Sequence, residues 1–395
     1  MSKAKDPLAT PIDGPFGIYI HWPFCLSKCP YCDFNSHVAA SIDHDQWRRS
    51  LIAELDYFAA RTGPRDVTSV FFGGGTPSLM DPAITTALLD HIAKRWHVPD
   101  DAEITLEANP GAVDMERFQG FRAAGVNRLS IGVQALDDAM LKFLGRKHDQ
   151  TEALRALDIA RANFDRLSFD LIYARPGQTV AAWEAELTRA LSFGTEHLSV
   201  YQLTIEENTG FAGSYRRGEF KLPDEDDAAA LFTVTREICA AAGLPAYEVS
   251  NHAKPGAECR HNLLYWQGGE WLGIGPGAHG RLRDADGLMR ATRQWKNPSR
   301  WLDTVAALGH GTEDEAVVLP EEYEAELLMM GLRLDAGISA PRFQRQTRRA
   351  LTDALDPIGL RVLSENGMIA WSGDHLHATE AGMAVLNAVL ARLLP

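Results

Sequence analysis

The chain has 395 residues, 45% of them hydrophobic and 23% charged, with a formal net charge of -14. That length supports one large core and a smaller second domain, and the acidic balance argues against a broad nucleic-acid footprint, which needs a basic face. No run of about 18 apolar residues offers a membrane span, and the opening MSKAKDPLATP lacks the apolar stretch of a secretory signal, so a cytoplasmic, reducing setting is expected.

After an arm over residues 1–16, six strand-like runs follow in order: GIYIHW, VTSVFFGG, EITLEANP, RLSIGV, RLSFDLIYA and HLSVYQLT. Each is followed by a helical pattern, such as IDHDQWRRSLIAELDYFAARTG after the first. Six βα repeats predict an α/β fold, a parallel sheet with helices outside it, either open and doubly wound or curved and barrel-like. Asp81-Pro82 reads as a helix N-cap followed by proline at the first helical position, and Gly125 sits where a helix would end. The βα core is expected over residues 17–210. Over 211–296 the alternation fades into a helix near Asp224–Ala242 and the segments YEVSNHAKPG, CRHNLLYWQGGEW and LGIGPGAHGR. Residues 297–395 read as a separate unit of helices closed by a hairpin, GMIAWSGDHLHAT, and a last helix, winged-helix-like in order.

Cys25, Cys29 and Cys32 place three of the five cysteines within eight residues. On a helix they would share one face, but Pro30 inside the run and Pro23 before it oppose a helix, so the segment reads as a loop after the first strand. Clustered thiols in a reducing setting more often bind metal or do redox chemistry than pair. A structural zinc would need a fourth ligand from His21, Asp33 or His37. A 4Fe-4S cluster takes one thiolate per iron, so three cysteines leave one iron open to an exchangeable ligand.

Other residues carry two readings each. Gly73, Gly74, Gly75 and Thr76 either bring a ligand against bare backbone amides or make a tight turn. Glu107, Gln134 and Asp170 lie in or at the end of apolar strands, where a parallel barrel has its mouth, yet singly each suits a strand-end hydrogen bond as well. His261, in HNLLYW, is a satisfied structural histidine or a heme ligand. His252 and His279 are weaker candidates of the same kind, and Cys239 reads as helix core.

The spacing Cys-x3-Cys-x2-Cys resembles the radical S-adenosylmethionine superfamily. The runs IYIHWPFCLSKCPYCDF, FFGGGTPSL, LEANP, NRLSIGVQ, FDLIYARPGQT and HLSVYQL follow the order of the oxygen-independent coproporphyrinogen III oxidase family, nearest its HemW-like heme-chaperone branch, from about residue 17 to about residue 280. The resemblance implies a six-unit βα partial barrel with a small C-terminal α+β domain. It implies a 4Fe-4S cluster on Cys25, Cys29 and Cys32, with S-adenosylmethionine on the open iron. S-adenosylmethionine contacts carry over to Tyr19, Gly74, Gly75, Thr76, Glu107, Gln134, Arg146 and Asp170, with Tyr31 near the cluster and His261 as a heme contact. Heme, heme-accepting proteins (membrane-associated respiratory proteins among them) and an electron donor are the implied partners, with no nucleic acid.

Two departures bear on function. Phe34 stands where the oxidase carries a further cysteine, and only 16 residues precede Gly17 where the oxidase has a longer arm. The expected function is therefore a heme chaperone that binds heme and transfers it. The alternative is the oxidase itself, which decarboxylates porphyrinogen propionates by radical chemistry. A third reading makes the C-terminal unit a DNA reader, with QRQTRR as its only basic cluster.

Overall fold

The six predicted strands all form: β1 (Phe16–Trp22), β2 (Val67–Gly74), β3 (Glu103–Ala108), β4 (Arg128–Gln134), β5 (Arg166–Tyr173) and β6 (His197–Gln202). This computed structural model describes residues 14–112, 114–284 and 286–394, so most of the expected N-terminal arm lies outside the described residues. The strands pair in parallel in the order of the sequence. A doubly wound sheet needs a reversal of strand order, whereas sequential right-handed crossovers put every helix on one face and curl the sheet. The barrel-like alternative is therefore the correct one.

Period-two alternation sorts the side chains. Ile18, Ile20, Leu106, Leu129, Leu167 and Leu198 point to the helix-covered face and join the largest core. Residues of opposite parity, among them Ser69, Glu107, Ser130 and Asp170, face the inside of the curl. The helices form for local reasons. In His44–Thr62, Trp47, Leu51, Leu55 and Phe58 make one buried stripe, and the Asp43 carboxylate accepts from Gln46 N at the N-terminus. Asp81 caps the helix after β2, and Gly125, with φ 109°, ends the helix after β3, both as expected.

The sheet is larger than the sequence suggested. β7 (Asn251–Ala253) pairs antiparallel with β6, and β8 (Glu270–Ile274) adds in parallel to the free edge of β1. β9 (His279–Arg283), β10 (Met289–Gln294) and β11 (Thr312–Val317) continue it antiparallel, giving eleven strands. Glu54 ties this extension to the first helix. Its buried carboxylate accepts from Gly275 N and Gly311 N, both at 2.7 Å, and from the Trp301 indole at 3.2 Å. Trp301 also stacks on Trp47 at 5.3 Å.

The sequence-based boundary at residue 297 falls before helix Pro298–Leu308 and β11, yet Trp301 and Val305 of that helix pack in the large core. The second core draws on Tyr323 and residues beyond it, together with Met289. There β12 (Ile338–Ser339), β13 (Ile369–Ser372) and β14 (His375–Ala378) make a small antiparallel sheet in the order β12-β14-β13, with the expected hairpin as β13 and β14. QRQTRR is drawn into packing: Arg349 pairs with Glu324 at 2.7 Å, and Gln346 donates to Gly268 O at 2.9 Å. Among the described residues no helix is long and apolar enough to cross a membrane.

Glu54→Ala strips three buried donors of their acceptor and should destabilise the fold by at least about 3 kcal/mol, read as a lower denaturant midpoint, with Glu54→Gln less costly.

Candidate functional site

Residues 23–43 carry no helix, and the three clustered cysteines lie on this loop after β1, half-buried and free. All three open onto one cavity of about 450 Å³ at the carboxyl ends of the strands. Tyr31, Gly74, Gly75, Thr76, Glu107, Gln134, Arg146 and Asp170 line the same cavity, so eight of the expected positions meet there, with the three cysteines besides.

The GGGT turn serves the cysteine loop first. Gly75 N donates to Trp22 O and Thr76 N to Phe24 O, each at 2.8 Å, and Gly74 N donates to the Glu107 carboxylate at 3.2 Å. The amides expected to be bare are thus used within the chain. The glycines are needed because a Cβ at Gly75 would lie 2.7 Å from Phe24 O, and one at Gly74, where φ is 110°, would meet the His21 ring at 2.5 Å. The stretch is thus a tight packing turn, and Gly74, Gly75 and Thr76 also wall the cavity.

Hydrogen-bond donors sit on two of the thiols. The Thr76 hydroxyl donates to Cys25 Sγ at 3.4 Å, and Arg146 Nη1 lies 3.5 Å from Cys29 Sγ and 3.4 Å from the Tyr31 hydroxyl. Arg146 is held by Gly132 O, 2.8 Å from Nη2. Burial pushes the Cys25 and Cys32 thiols up. Across the cavity, burial raises Glu107 to about 8, with the neighbouring Asp170 charge adding to the shift, and burial raises Asp170 to about 6 against hydrogen bonds from Ser199 and Ser130. Gln134 reaches the cavity from a β-bulge and adopts φ 72°, a left-handed conformation uncommon outside glycine.

Two expected residues lie elsewhere. Tyr19 is not part of the cavity wall: it sits below it, packed on Phe71 at 6.2 Å, with its hydroxyl 3.0 Å from His21 Nδ1. His261 lies lower still, on helix Arg260–Trp266, which packs against β1 and β2 inside the curl. It is 1% exposed, with Nδ1 2.8 Å from Ser69 Oγ and Nε2 2.7 Å from the Tyr265 hydroxyl. Burial lowers its pKa to about 3. As placed, both ring nitrogens of His261 are engaged within the chain, the arrangement of the satisfied structural histidine, one of its two expected readings. Cys259, on the same turn, donates to Glu103 at 3.4 Å, and Cys239 is buried in helix Glu225–Ala241 as expected.

Comparison with known proteins places this geometry. The Radical SAM superfamily model matches residues 19–190, and the HemN C-terminal domain model matches residues 318–385. The heme chaperone HemW of Escherichia coli K12 is 37% identical over 96% of this chain and 98% of its own length. The chain belongs to the HemW family of radical S-adenosylmethionine proteins. The mitochondrial radical S-adenosyl methionine domain-containing protein 1 of Bos taurus is 40% identical over 95% of this chain and 87% of that protein. Escherichia coli coproporphyrinogen III oxidase HemN matches in structure with a TM-score of 0.80 over 98% of this chain and 91% of that one, at 22% identity, which speaks for the fold.

The superfamily's 4Fe-4S cluster and S-adenosylmethionine suit this donor set. Among the described residues no three His, Cys, Asp or Glu side chains close on a single ion, while three thiols share one cavity wall beside a buried guanidinium. Of the alternative zinc ligands, His21 is turned to Tyr19 and to Asn35 O, and His37 to Asn35 Oδ1. Sequence reading missed Ser130 and Tyr201, which also line the cavity. Their signal is parity: both share the inward register of Gln134 and Asp170.

A carboxyl raised from about 4.3 in the unfolded chain binds more protons when folded, so its contribution to stability is lost as pH rises through the raised value. The iron-free protein should therefore lose more than about 1 kcal/mol between pH 5 and pH 8 from Glu107 and Asp170, and Glu107→Gln should flatten that slope in denaturant titrations.

Proposed function

We propose that this chain is a heme chaperone, which binds heme and passes it to acceptor proteins, and that it carries a 4Fe-4S cluster on Cys25, Cys29 and Cys32. The near-full-length likeness to the heme chaperone HemW of Escherichia coli carries this reading. Gly74, Gly75, Thr76, Glu107, Gln134, Arg146 and Asp170 would hold S-adenosylmethionine, whose amino and sulfonium groups are the cations that a pair of buried carboxyls suits. Bound at these thiols, the cluster supplies one-electron chemistry and an open coordination position.

The chain's own residues do the rest. The Arg146 guanidinium offsets thiolate charge at Cys29, and Thr76 donates to Cys25. Gly74 and Gly75 let the β2 turn lie flush against the loop. Glu107 and Asp170 take up negative charge when a cation enters, releasing protons. Heme-accepting proteins, an electron donor and a cytoplasmic address belong to the same proposal, the last in keeping with five unpaired cysteines. Against the oxidase alternative, Phe34 stands 57% exposed at the cavity lip, where that enzyme has a thiol.

Anaerobic reconstitution tests the reading, with heme titration followed by absorbance and coproporphyrinogen turnover assayed in parallel. Heme binding without turnover is expected, whereas turnover would transfer the chain to the oxidase alternative. Cys25→Ala, Cys29→Ala and Cys32→Ala should each abolish iron and sulfide uptake, because oxygen ligands suit this cluster poorly and Cys239 and Cys259 are buried elsewhere. His261→Ala should lower stability by about 2 kcal/mol yet leave the heme spectrum unchanged, as a packing residue would.

A further inference from the structure

The cysteine loop is closed at its neck. Cys25 N donates to His37 O at 2.9 Å, and His37 N donates to Pro23 O at 2.7 Å, so the three thiols hang on a segment whose ends are pinned together. Just inside that neck, Asn35 uses every hydrogen-bonding atom of its amide. Nδ2 donates one proton to Pro276 O at 2.8 Å and the other to Lys296 O at 2.9 Å. Two carbonyl acceptors fix which way the amide faces, and Oδ1 accepts from His37 Nε2 at 3.1 Å. The Asn35 carbonyl accepts from His21 Nε2 at 2.9 Å, which leaves His21 Nδ1 to accept from the Tyr19 hydroxyl at 3.0 Å. The sheet extension is shaped for this contact: Gly277 has φ 79°, and a Cβ there would lie 2.5 Å from Asn35 Nδ2.

We propose that Asn35 is a positioning residue for the cluster: its carboxamide clamps the cysteine loop to the β8-β9 turn and to the segment before helix Pro298–Leu308, and so fixes where the three thiolates stand. This rests on the reading that Cys25, Cys29 and Cys32 hold a 4Fe-4S cluster. Asn35 ligates nothing itself. Cys32 lies only three residues before it, and among the described contacts the loop's hold on the extension runs through this amide and its histidine neighbours. Loss of the clamp frees the Cys32 end while leaving β1, β2 and the core intact.

The test compares reconstituted wild type with Asn35→Asp, Asn35→Ala and Gly277→Ala. Asn35→Asp replaces two donors by an acceptor facing two carbonyls, and Gly277→Ala pushes on the amide from the other side. Iron and sulfide content, the electron paramagnetic resonance spectrum of the reduced cluster with and without S-adenosylmethionine, and the rate of cluster loss to a chelator are measured beside thermal melting. Chelator-driven loss about tenfold faster than wild type and an altered spectrum, at a melting temperature within a few degrees, are expected from two lost hydrogen bonds. If the Asn35 variants fail to fold, Gly277→Ala decides by the same spectrum and rate. Wild-type spectra and chelator rates in the folded variants, even with a lowered melting temperature, overturn the inference alone. Wild type that takes up no iron overturns the cluster reading, and the inference with it.

Discussion

Sequential parallel pairing of β1 to β6 places all crossover helices on one side, and that single constraint leaves an inner face with no helix layer to cover it. Polar groups on such a face need partners of their own. In the lower half they find them in the chain segment that follows the barrel: Ser69 meets His261, Glu103 meets Cys259 and Arg166, and His197 lies between Ser168 and the Tyr247 hydroxyl. In the upper half the inner face opens as the cavity. The short helix carrying HNLLYW therefore acts as a floor, and the site above it is deep enough to bury carboxyls yet open to a ligand.

Electrostatics in the cavity follow from that depth. Glu107 and Asp170 lie in low-dielectric surroundings and resist full ionisation together, while Arg146 and the buried Arg128 keep their charge. Negative charge from thiolates and carboxylates is thus met by guanidinium groups at two levels of the barrel. A cation entering at the carboxyls gains more than it would at a surface pair, because water screens it less.

The strands, caps and cysteines were legible because their signals are local. Alternation runs inside each strand, Asp81-Pro82 and Gly125 act within one turn, and three thiols within eight residues need no partner to be noticed. The extension was not, because β8 is defined by pairing with β1, Phe16 opposite Glu270, and the exposed acidic strand TEDEAV reads as a loop until Arg290 and Arg293 are seen beside it. Tyr19 shares the inward parity of the site residues, and only register reveals its depth: it lies opposite Phe71, three positions below the Trp22–Gly74 pair at the cavity wall. His261 could not be assigned from its own aromatic neighbours, since Ser69, which holds its ring, is 192 residues away in sequence.

Contacts spaced so far apart also set an order of events during synthesis. The cysteine loop is made within the first forty residues, but the carbonyls that anchor Asn35 belong to residues 241 and 261 positions later. At roughly 5–20 residues per second on the ribosome, an interval of roughly 13–52 seconds separates the thiols from their anchor. Through that interval the nascent chain carries three thiols without their anchor, so, on the proposed cluster reading, iron delivered early would meet an unfinished cradle and the completed chain would be the substrate for cluster insertion.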